Sequence, residues 1–491
     1  MLPLRPMLRL CAAGVAKRQM QLLGGTAVVS CMVHCAPARS LQLQDRGLAS
    51  FASATLVTNE AGPLPGLGML KTHQTVWQRI VCVVRLLFHC GRLFLLGAPL
   101  VLTYPIARLG NPDVADWWWR LALACGQRSS PGMIKFLQWA STRRDMFSRH
   151  FCDTFEAFHA QCEVHSWEYT LALLTDAFGV SWPSLMELDP RPIGSGVIAQ
   201  VYRGRWRDSG EQIAVKVVHP HVAETAALDL ELLAIVAGWV DYWVPNLSAS
   251  VGMHSFAEVM WNQLDLRVEA TNLRRFQANF ASSKTVAFPT PKPGFVTSSV
   301  LVESFVDGDA LALHACDRAL AATTVDAFLR MLFLHNFAHG DIHPGNILVT
   351  RRGIALLDAG IVNELQPSDF SDFVALFHSI ASKDGLGAGR ILLEKSPRHR
   401  CADEPAFCAA IASIVDRATS KLSLQEVPVG ELLQEVLEVC QRHHVALQGR
   451  FVSIVVSIGV LEAVGRVLDP DLDILSIALP ILVQAKLRLR L

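Results

Sequence analysis

The sequence has few charges and, over two long stretches, no acidic residue at all. Only 18% of the 491 residues are charged and 51% are hydrophobic, with a mean hydropathy of +0.31. Residues 1–44 and 61–112 contain neither Asp nor Glu. The formal net charge is zero, so the overall balance gives no support for a nucleic-acid partner. An apolar, weakly charged composition instead indicates contact with a membrane.

Paired cysteines are also missing. The 12 cysteines include no Cys-x-x-Cys pair, and the early pair Cys31 and Cys35 has no second pair to complete a zinc site. We therefore predict reduced, mostly buried thiols in a non-secretory compartment.

The acid-free N-terminus has the composition of a targeting segment. Basic residues alternate there with Leu, Met, Val and Ala; they are Arg5, Arg9, Lys17, Arg18 and Arg39. A basic, amphipathic leader without acids predicts a mitochondrial transit peptide over residues 1–46. A disordered basic tail is the alternative, and a secretory signal fits less well because no apolar core precedes a small-residue cleavage site.

The second acid-free stretch lies in a predicted linker, residues 47–125. Its longest uncharged run, Leu93–Ala107, has fifteen residues, fewer than the roughly 20 that a spanning helix needs. Residues 79–107 are therefore predicted to form a basic amphipathic helix on a membrane surface, with a short span as the alternative. The run Trp117–Trp119 suits the membrane interface and a protein core equally well.

The strongest chemical pattern lies between residues 337 and 360. Asp341 and Asn346 are five positions apart within a polar segment with apolar flanks. That spacing is typical of a kinase catalytic loop, where the Asp orients the acceptor and the Asn binds Mg²⁺. An apolar strand then leads to Asp358 in an Asp-Ala-Gly turn, where the second metal ligand of such a site belongs.

A glycine turn and a lysine strand precede this loop. Residues 192–204 predict a strand, a turn with Gly194 and Gly196, and a second strand, so that a backbone can approach phosphates closely. In the strand 212–218, Lys216 points to the opposite face from its apolar neighbours and needs a partner, because a buried unpaired ammonium is costly. Spacing alone leaves three partners open, namely Glu224, Glu231 and Glu269.

Together these motifs resemble the UbiB (aarF-domain) family of atypical kinase-like proteins, over roughly residues 126–485. The resemblance rests on residues 192–220, 263–276, 337–349 and 354–362, and on Met133–Asp145 within a predicted helix over Met133–His150. It implies an α+β fold, bilobal and protein-kinase-like, with a helical N-terminal extension and a helical C-lobe. The implied domains are an extension at 126–186, an N-lobe at 187–310 and a C-lobe at 311–491.

The resemblance also implies roles for individual residues. Asp341 would be catalytic, with Lys216 holding phosphates and Glu269 positioning Lys216. The implied nucleotide-binding set is Gly194, Ser195, Gly196, Ala199 and Lys216, and the implied metal ligands are Asn346 and Asp358. The family's extension, which lies over the active site, corresponds to Lys135 and Gln138, with Asp265 in the motif that pairs with it. The implied cofactors are ATP or ADP and Mg²⁺.

Several positions depart from the family pattern. Leu137 replaces a glycine, Gln263 a glutamate, and Ala359 the phenylalanine of Asp-Phe-Gly. Gly340 stands where protein kinases carry an arginine that reads a phosphorylated activation loop, and no Ala-Pro-Glu segment follows Asp358. Protein phosphorylation is therefore not expected. The apolar stretches Phe451–Leu461 and Ile474–Gln484 are predicted to be buried helices rather than spans.

These patterns predict a Mg-dependent ATPase or phosphotransferase associated with a mitochondrial membrane. By resemblance, its substrate is a small or lipid-like molecule, and it supports coenzyme Q biosynthesis or mitochondrial lipid metabolism. The implied partners are a membrane lipid or quinone-like molecule and coenzyme Q biosynthesis proteins. Three alternatives stay open: a pseudokinase scaffold, a small-molecule kinase of the aminoglycoside or choline type, and a membrane-anchored interaction protein without a nucleotide site.

Overall fold

The structure is a computed structural model in which most of the chain after residue 75 is described. The described residues are 76–108, 112–143, 147–156, 164–243, 249–311, 317–396, 400–420, 429–445 and 449–489. The predicted transit peptide and the start of the linker lie outside them. The chain divides into two compact units: unit 1 comprises residues 1–162 and 221–261, and unit 2 comprises 163–220 and 262–491.

Helices and strands are interspersed along the described parts of the chain. The helices are α1 (Val76–Ala107), α2 (Pro112–Gln127), α3 (Pro131–Thr142), α4 (Arg149–Glu156), α5 (Trp167–Phe178), α6 (Trp182–Leu185), α7 (Val222–Trp243), α8 (Ala249–Gln263), α9 (Leu266–Asn279), α10 (Arg318–Phe333), α11 (Pro367–Ala381), α12 (Gly385–Glu394), α13 (Glu404–Ser420), α14 (Val429–Arg442), α15 (Gly449–Leu468) and α16 (Ile474–Leu489). The strands are β1 (Met186–Ser195), β2 (Ala199–Trp206), β3 (Gln212–Val218), β4 (Val286–Ala287), β5 (Pro291–Val296), β6 (Val300–Ser304), β7 (Asp309–Ala310), β8 (Ala338–His339), β9 (Ile347–Thr350), β10 (Gly353–Leu356) and β11 (Val362–Asn363).

Unit 1 is helical, and its longest helix is mostly uncovered. Within α1, Ile80–Ala107 has a mean hydropathy of 1.9 and is the one described helix long and apolar enough to cross a membrane by length and composition. Phe88 is 80% exposed and Leu95 73%. Two residues of the tryptophan run have different environments. Trp118 is buried and its indole N–H donates to the carbonyl oxygen of Leu100, whereas Trp117 is exposed.

The predicted helix over Met133–His150 is wrong in its second half. The helix α3 ends at Thr142, and the chain resumes as α4 only at Arg149. Ring contacts explain the return of the chain: Phe147 packs against Phe136 of α3 and stacks on Phe151 of α4. Packing of buried Phe151 with partly buried Phe136 and Phe147 outweighs the continuation of one helix, since each ring removes apolar area from water.

Unit 2 begins with a five-stranded antiparallel sheet in the order β1-β2-β3-β6-β5. The strands predicted within residues 192–204 and 212–218 are confirmed. One face of the sheet packs on α5 through fully buried residues; they include Tyr202, Ile213, Val215, Val217, Val300 and Val302. Because side chains alternate along a strand, Ala214 and Lys216 lie on the other face.

The helix α9 lies against β5 and β6 and differs slightly from its predicted bounds. It begins at Leu266 rather than at residue 263, because the Asp265 side chain accepts a hydrogen bond from the backbone N–H of Arg267 and caps the helix. Its predicted core positions are confirmed as buried: Leu266, Ala270, Leu273 and Phe276. The sheet and α9 together form the first lobe of a bilobal kinase-like unit.

The second lobe is helical. The buried helix α10 packs with α15 and α16, and a small sheet in the order β4-β10-β9-β7 lies beside it. The two apolar C-terminal stretches are confirmed as helices with buried positions; these are Ile454, Val455, Ile458 and Leu461 in α15, and Ile474, Ala478, Ile481 and Leu482 in α16. The α+β, bilobal, kinase-like fold with helical flanking regions is therefore confirmed.

Candidate active site

The ammonium group of Lys216 on β3 lies between two carboxylates. Its Nζ is 2.9 and 2.8 Å from the two carboxylate oxygens of Glu269 and 3.3 Å from Oδ2 of Asp358. The Lys216 and Glu269 side chains are 13% and 5% exposed, whereas that of Asp358 is 41% exposed. The Lys216–Glu269 pair implied by the family resemblance is present, and Asp358 is the most solvent-accessible member of the cluster.

A third carboxyl group acts on the same ammonium. Glu303 on β6 lies beside Ala214 in the sheet, two residues along the strand from Lys216. Burial alone would lower the pKa of Lys216, but the charges of Asp358 and Glu269 outweigh burial and hold that pKa above its usual value. Burial and then the charge of Glu269 raise the pKa of Glu303. Lys216 thus lies between two nearby carboxylates and is also influenced by Glu303, whose neutral form is favoured by burial.

A buried histidine fixes the catalytic-loop segment. The Nε2 of His339 is 2.9 Å from the carbonyl oxygen of Leu357, and its Nδ1 is 3.2 Å from the backbone nitrogen of Asp341. A carbonyl oxygen only accepts, so Nε2 carries the hydrogen and Nδ1 accepts from the Asp341 amide. His339 therefore ties the segment that carries Asp341 to the segment that leads into Asp358.

Asn346 is held against the same loop. Its side-chain Nδ2 donates to the carbonyl oxygen of Asp341 at 3.0 Å, and its own carbonyl accepts from the amide of Leu357 at 2.9 Å. The side-chain oxygen of Asn346, which is the atom a metal ion would use, is not occupied by that bond.

Asp358 sits in an unfavourable backbone conformation that its neighbours hold in place. Its φ is 52°, in the left-handed region that non-glycine residues rarely adopt. The N–H of Gly360 donates to its Oδ1 at 3.3 Å, and the Asn272 side chain donates to the carbonyl of Ala359 at 2.8 Å. Strain of this kind is kept where an orientation matters, and here it directs the Asp358 carboxylate toward Lys216.

One face of α9 supplies three of the positioning contacts. Glu269, Asn272 and Arg275 are spaced three residues apart and so share a face. Arg275 forms two bonds, of 2.7 and 2.6 Å, with the carboxylate of Glu364, and its guanidinium lies 4.0 Å from the ring centre of Phe337. Sequence reasoning singled out Glu269 alone. The repeated spacing of three was the signal that could have identified Asn272 and Arg275.

The glycine turn between β1 and β2 is open. A Cβ built on Gly194 would meet no atom within 4 Å, and one on Gly196 would meet only the Ala199 carbonyl, at 3.6 Å. Packing therefore does not require either glycine. The Oγ of Ser195 is buried and has no hydrogen-bond partner in the described parts of the chain. An open backbone beside an unpartnered hydroxyl fits a phosphate-bearing ligand.

A chain of hydrogen bonds between uncharged side chains holds the backbone of this turn in position. His219 Nε2 is 3.0 Å from the Gly196 carbonyl, and His165 Nδ1 is 2.7 Å from His219 Nδ1. His165 Nε2 in turn bonds Thr170 at 2.9 Å, and Thr170 bonds the Tyr202 hydroxyl at 2.7 Å. Because the carbonyl only accepts, His219 Nδ1 must accept from His165. Burial, chiefly, lowers the pKa of His165 to about 4 and also lowers that of His219, so both rings stay neutral.

The residues predicted for the family extension fall in both units. Lys135 and Gln138 lie in α3 of unit 1 and are partly buried there. Asp265 lies in unit 2, where its carboxylate forms a 2.6 Å ion pair with Arg267 in addition to capping α9. Their predicted joint role over the active site stays a prediction.

The residues present fit a divalent cation bound together with phosphates. Within the described ranges, no group of three or more His, Cys, Asp and Glu side chains is arranged to hold a metal. Mg²⁺ is commonly held by one or two protein ligands plus substrate phosphates and water. Asp358 and Asn346 match that smaller ligand set.

A lysine–carboxylate pair under a glycine turn, with Asp and Asn on a loop below, defines the class of kinase-like nucleotide-binding folds. Comparison with known proteins agrees. The ABC1 atypical kinase-like domain matches residues 157–391, and the UbiB helical domain matches residues 411–473. The chain belongs to the ABC1/UbiB family of atypical kinase-like proteins.

Three relatives that are similar in sequence support the assignment. A mitochondrial ABC1 family protein of Saccharomyces cerevisiae is 30% identical, with 82% of this chain and 74% of the relative covered. One from Schizosaccharomyces pombe is 27% identical, covering 83% and 72%. A probable protein kinase UbiB of Vibrio parahaemolyticus is 28% identical, covering 74% and 69%. A solved complex of Rv3197 with erythromycin from Mycobacterium tuberculosis has a TM-score of 0.49 at 18% identity, covering 64% of this chain and 82% of that one.

Proposed function

We propose that this protein binds ATP or ADP with Mg²⁺ at the cluster around Lys216, and that it hydrolyses ATP or transfers a phosphoryl group to a small or lipid-like molecule. The observation that carries the proposal is the geometry of the cluster: one buried ammonium lies within 3.3 Å of the carboxylates of Glu269 and Asp358, on the strand next to those joined by the open glycine turn. A buried charge cluster without a compensating partner is costly. When bound, Mg²⁺ would supply positive charge beside Asp358, and the nucleotide phosphates would supply acceptors for Lys216 and for the Ser195 hydroxyl.

Each residue then has a role consistent with its contacts. Lys216 holds phosphate oxygens and Glu269 keeps its ammonium in place. Asp358 and Asn346 hold the metal ion, which neutralises charge on the phosphates when bound. Asp341 orients the acceptor or a water molecule, and its backbone is fixed by His339. Gly194, Ser195, Gly196 and Ala199 line the phosphate side of the site.

A protein acceptor is not part of the proposal. Gly340 occupies the position of the arginine that reads a phosphorylated activation loop, and a Cβ on Gly340 would lie 2.5 Å from a side-chain carbon of Ile361. Packing therefore excludes any longer side chain there without rearrangement. This observation supports a small or lipid-like substrate over a peptide.

Mitochondrial membrane association is part of the same proposal. Relatives named mitochondrial and the predicted transit peptide support the compartment. The exposed apolar side chains of α1 support contact with lipid. The middle of α1 is also bound to another helix of unit 1, because buried His89 bonds Asp229 of α7 at 2.6 Å. This contact favours a helix that lies on the membrane surface over one that crosses the membrane. By family resemblance, the activity would support coenzyme Q biosynthesis, with a quinone-like lipid and the proteins of that synthesis as partners.

A nucleotide-binding scaffold without turnover is the second candidate. It is favoured by the 3.3 Å contact between Lys216 and Asp358, because the phosphate-binding and metal-binding groups then engage each other. Ala359, in place of a bulky phenylalanine, also removes the side chain that sets active and inactive states in protein kinases.

Thermal stability of the full chain with nucleotide tests the proposal. We expect Mg·ADP or Mg·ATP at 100 times its dissociation constant to stabilise the wild type by about 2.7 kcal/mol. The variant Asp358→Ala should lose this Mg-dependent shift, whereas Asp176→Ala, at an exposed position of α5, should keep it. Absence of any shift in the wild type would reject the nucleotide site. A shift without ATP consumption in the presence of lipid vesicles would favour the scaffold.

A further inference from the structure

The ligand-facing side of the five-stranded sheet carries one acidic residue that the proposed chemistry does not use. In the sheet register, Val201 pairs with Lys216, Leu301 pairs with Lys216 from the other side, and Glu303 pairs with Ala214. These side chains share the face opposite the α5 core. This face therefore carries an ammonium and, two residues along the strand, a carboxyl group; Val201 is partly exposed there, whereas Ala214 and Leu301 are buried.

The carboxyl group of Glu303 is not satisfied by the protein. Its Oε2 is shielded from solvent and has no hydrogen-bond partner in the described parts of the chain, although the residue keeps some exposed surface. A buried acceptor without a partner costs about 1–3 kcal/mol. Burial and the charge of Glu269 raise the pKa of this group, and in either protonation state it retains an oxygen that can accept a hydrogen bond.

The positions of these groups match the two ends of a nucleotide. Phosphates bound at Lys216 and the glycine turn leave partly exposed Val201, beside buried Ala214, for the face of a flat ring. Glu303 then lies beyond that ring, two residues along the strand from Lys216. When ionised, a carboxyl group there can only accept, so it matches an exocyclic amine, whereas a ring carbonyl in the same place would oppose two acceptors.

We propose that Glu303 is a specificity-determining residue that reads the exocyclic amino group of the base, so that the site selects a 6-aminopurine nucleotide over a 6-oxopurine nucleotide. This inference rests on the proposed nucleotide site. It concerns recognition of the base, because the Lys216 cluster would contact only the phosphates. A site built around a hydrogen bond discriminates strongly against a ligand that lacks the matching group, because its own polar group then stays unpaired.

Binding of matched nucleotides to the full chain tests the inference. ADP and inosine diphosphate differ in the 6-amino and 6-oxo groups that concern Glu303. We expect the wild type, with Mg²⁺, to bind ADP at least about tenfold more tightly, a difference of about 1.4 kcal/mol. Glu303→Gln should bring the two affinities within about threefold, because its amide can either donate or accept. Glu303→Met should abolish the preference by weakening the binding of ADP.

Two controls separate the base from the rest of the site. Mg·pyrophosphate carries no base, so its affinities for the wild type and Glu303→Gln measure any general effect of the lost carboxyl group on the Lys216 site, and its binding also shows that the variant is folded. Glu168→Gln, on exposed α5 surface, should keep the ADP preference. Equal affinities in the wild type, or a preference that survives in Glu303→Gln, would overturn the role of Glu303. If the wild type binds neither nucleotide nor pyrophosphate, the proposed nucleotide site itself fails.

Discussion

Each unit buries a carboxylate beside a basic side chain, but the two clusters differ in how well they are satisfied. In unit 1, Oδ1 of fully buried Asp229 accepts from Ser130 at 2.5 Å and from His89 at 2.6 Å, and Oδ2 accepts from the amide of Gly132 at 3.0 Å. Both oxygens are therefore engaged. A Cβ on Gly132 would lie 2.6 Å from Oδ2, so the cluster leaves no room for another group.

The Lys216 cluster in unit 2 is the opposite case. It has more carboxyl groups than its single ammonium can neutralise, and the nearby oxygen atoms Ser195 Oγ and Glu303 Oε2 have no partner within the described residues. A fully satisfied buried network stabilises and specifies a fold, whereas a partly satisfied one is retained at a cost in stability. The difference indicates that the first cluster is structural, and it supports the ligand-binding role that we propose for the second.

The largest expected effect comes from breaking the satisfied cluster. Asp229→Ala leaves three buried donors without an acceptor, so the free energy of unfolding should fall by about 3–5 kcal/mol. Urea unfolding of the full chain measures this loss, and Asp229→Asn, which keeps one acceptor oxygen, should lose less. A loss below about 1 kcal/mol for the alanine variant would contradict the structural role of the cluster.

In the unsatisfied Lys216 cluster, removal of a carboxyl group is expected to increase the free energy of unfolding. Glu303→Met removes a buried acceptor without a partner and one of three carboxyl groups around Lys216. The free energy of unfolding should therefore rise by about 1–2 kcal/mol in the absence of ligand. The same urea titration measures it, and Glu303→Gln, which leaves a polar group in place, should gain less. Destabilisation by Glu303→Met would show that Glu303 has a structural role instead.

The smallest expected effect concerns pH and the histidine pair beside the glycine turn. The pKa of His165 is lowered from 6.5 to about 4 in the folded state, so the unfolded chain binds the proton more readily between these values. The stabilisation is fully present above pH 6.5 and is lost as the pH falls toward 4. Because His165 is partly exposed, we expect a loss of about 1 kcal/mol.

Comparison with a non-titrating variant isolates this contribution. The free energy of unfolding of His165→Gln should depend less steeply on pH between 6.5 and 4 than that of the wild type. His254→Gln, which changes an exposed histidine of α8, serves as the control and should keep the wild-type dependence. Equal slopes for the wild type and His165→Gln would show that the ring is not held neutral.

The positions of the site residues along the chain could be predicted because each motif is local. Lys216 alternates with valines in a strand, and Asp341, Asn346 and Asp358 lie within eighteen residues of one another. The choice of partner for Lys216 could not be made from spacing. Glu269 is 53 residues away, beyond two intervening helices, and only the family resemblance indicated it before the structure showed the contact.

Other features depend on contacts between segments distant in sequence. The break after Thr142 depends on aromatic rings that meet only when the chain folds back. Glu303 was not recognised at all, because one glutamate in an apolar strand carries no periodic signal. Its position near Lys216 follows from the register of β3 against β6, which places Glu303 beside Ala214.

Local pattern and composition by themselves determined the strands, the kinase-like loop, the acid-free leader and the buried C-terminal helices, because alternation, turn residues and hydrophobic runs act over a few neighbouring residues. The tertiary structure decided which charges meet and which donors and acceptors have a hydrogen-bond partner within the described residues. Those properties depend on burial and on distances between segments far apart in the chain. Burial and distance, rather than residue type alone, set the cost of an unpaired charge.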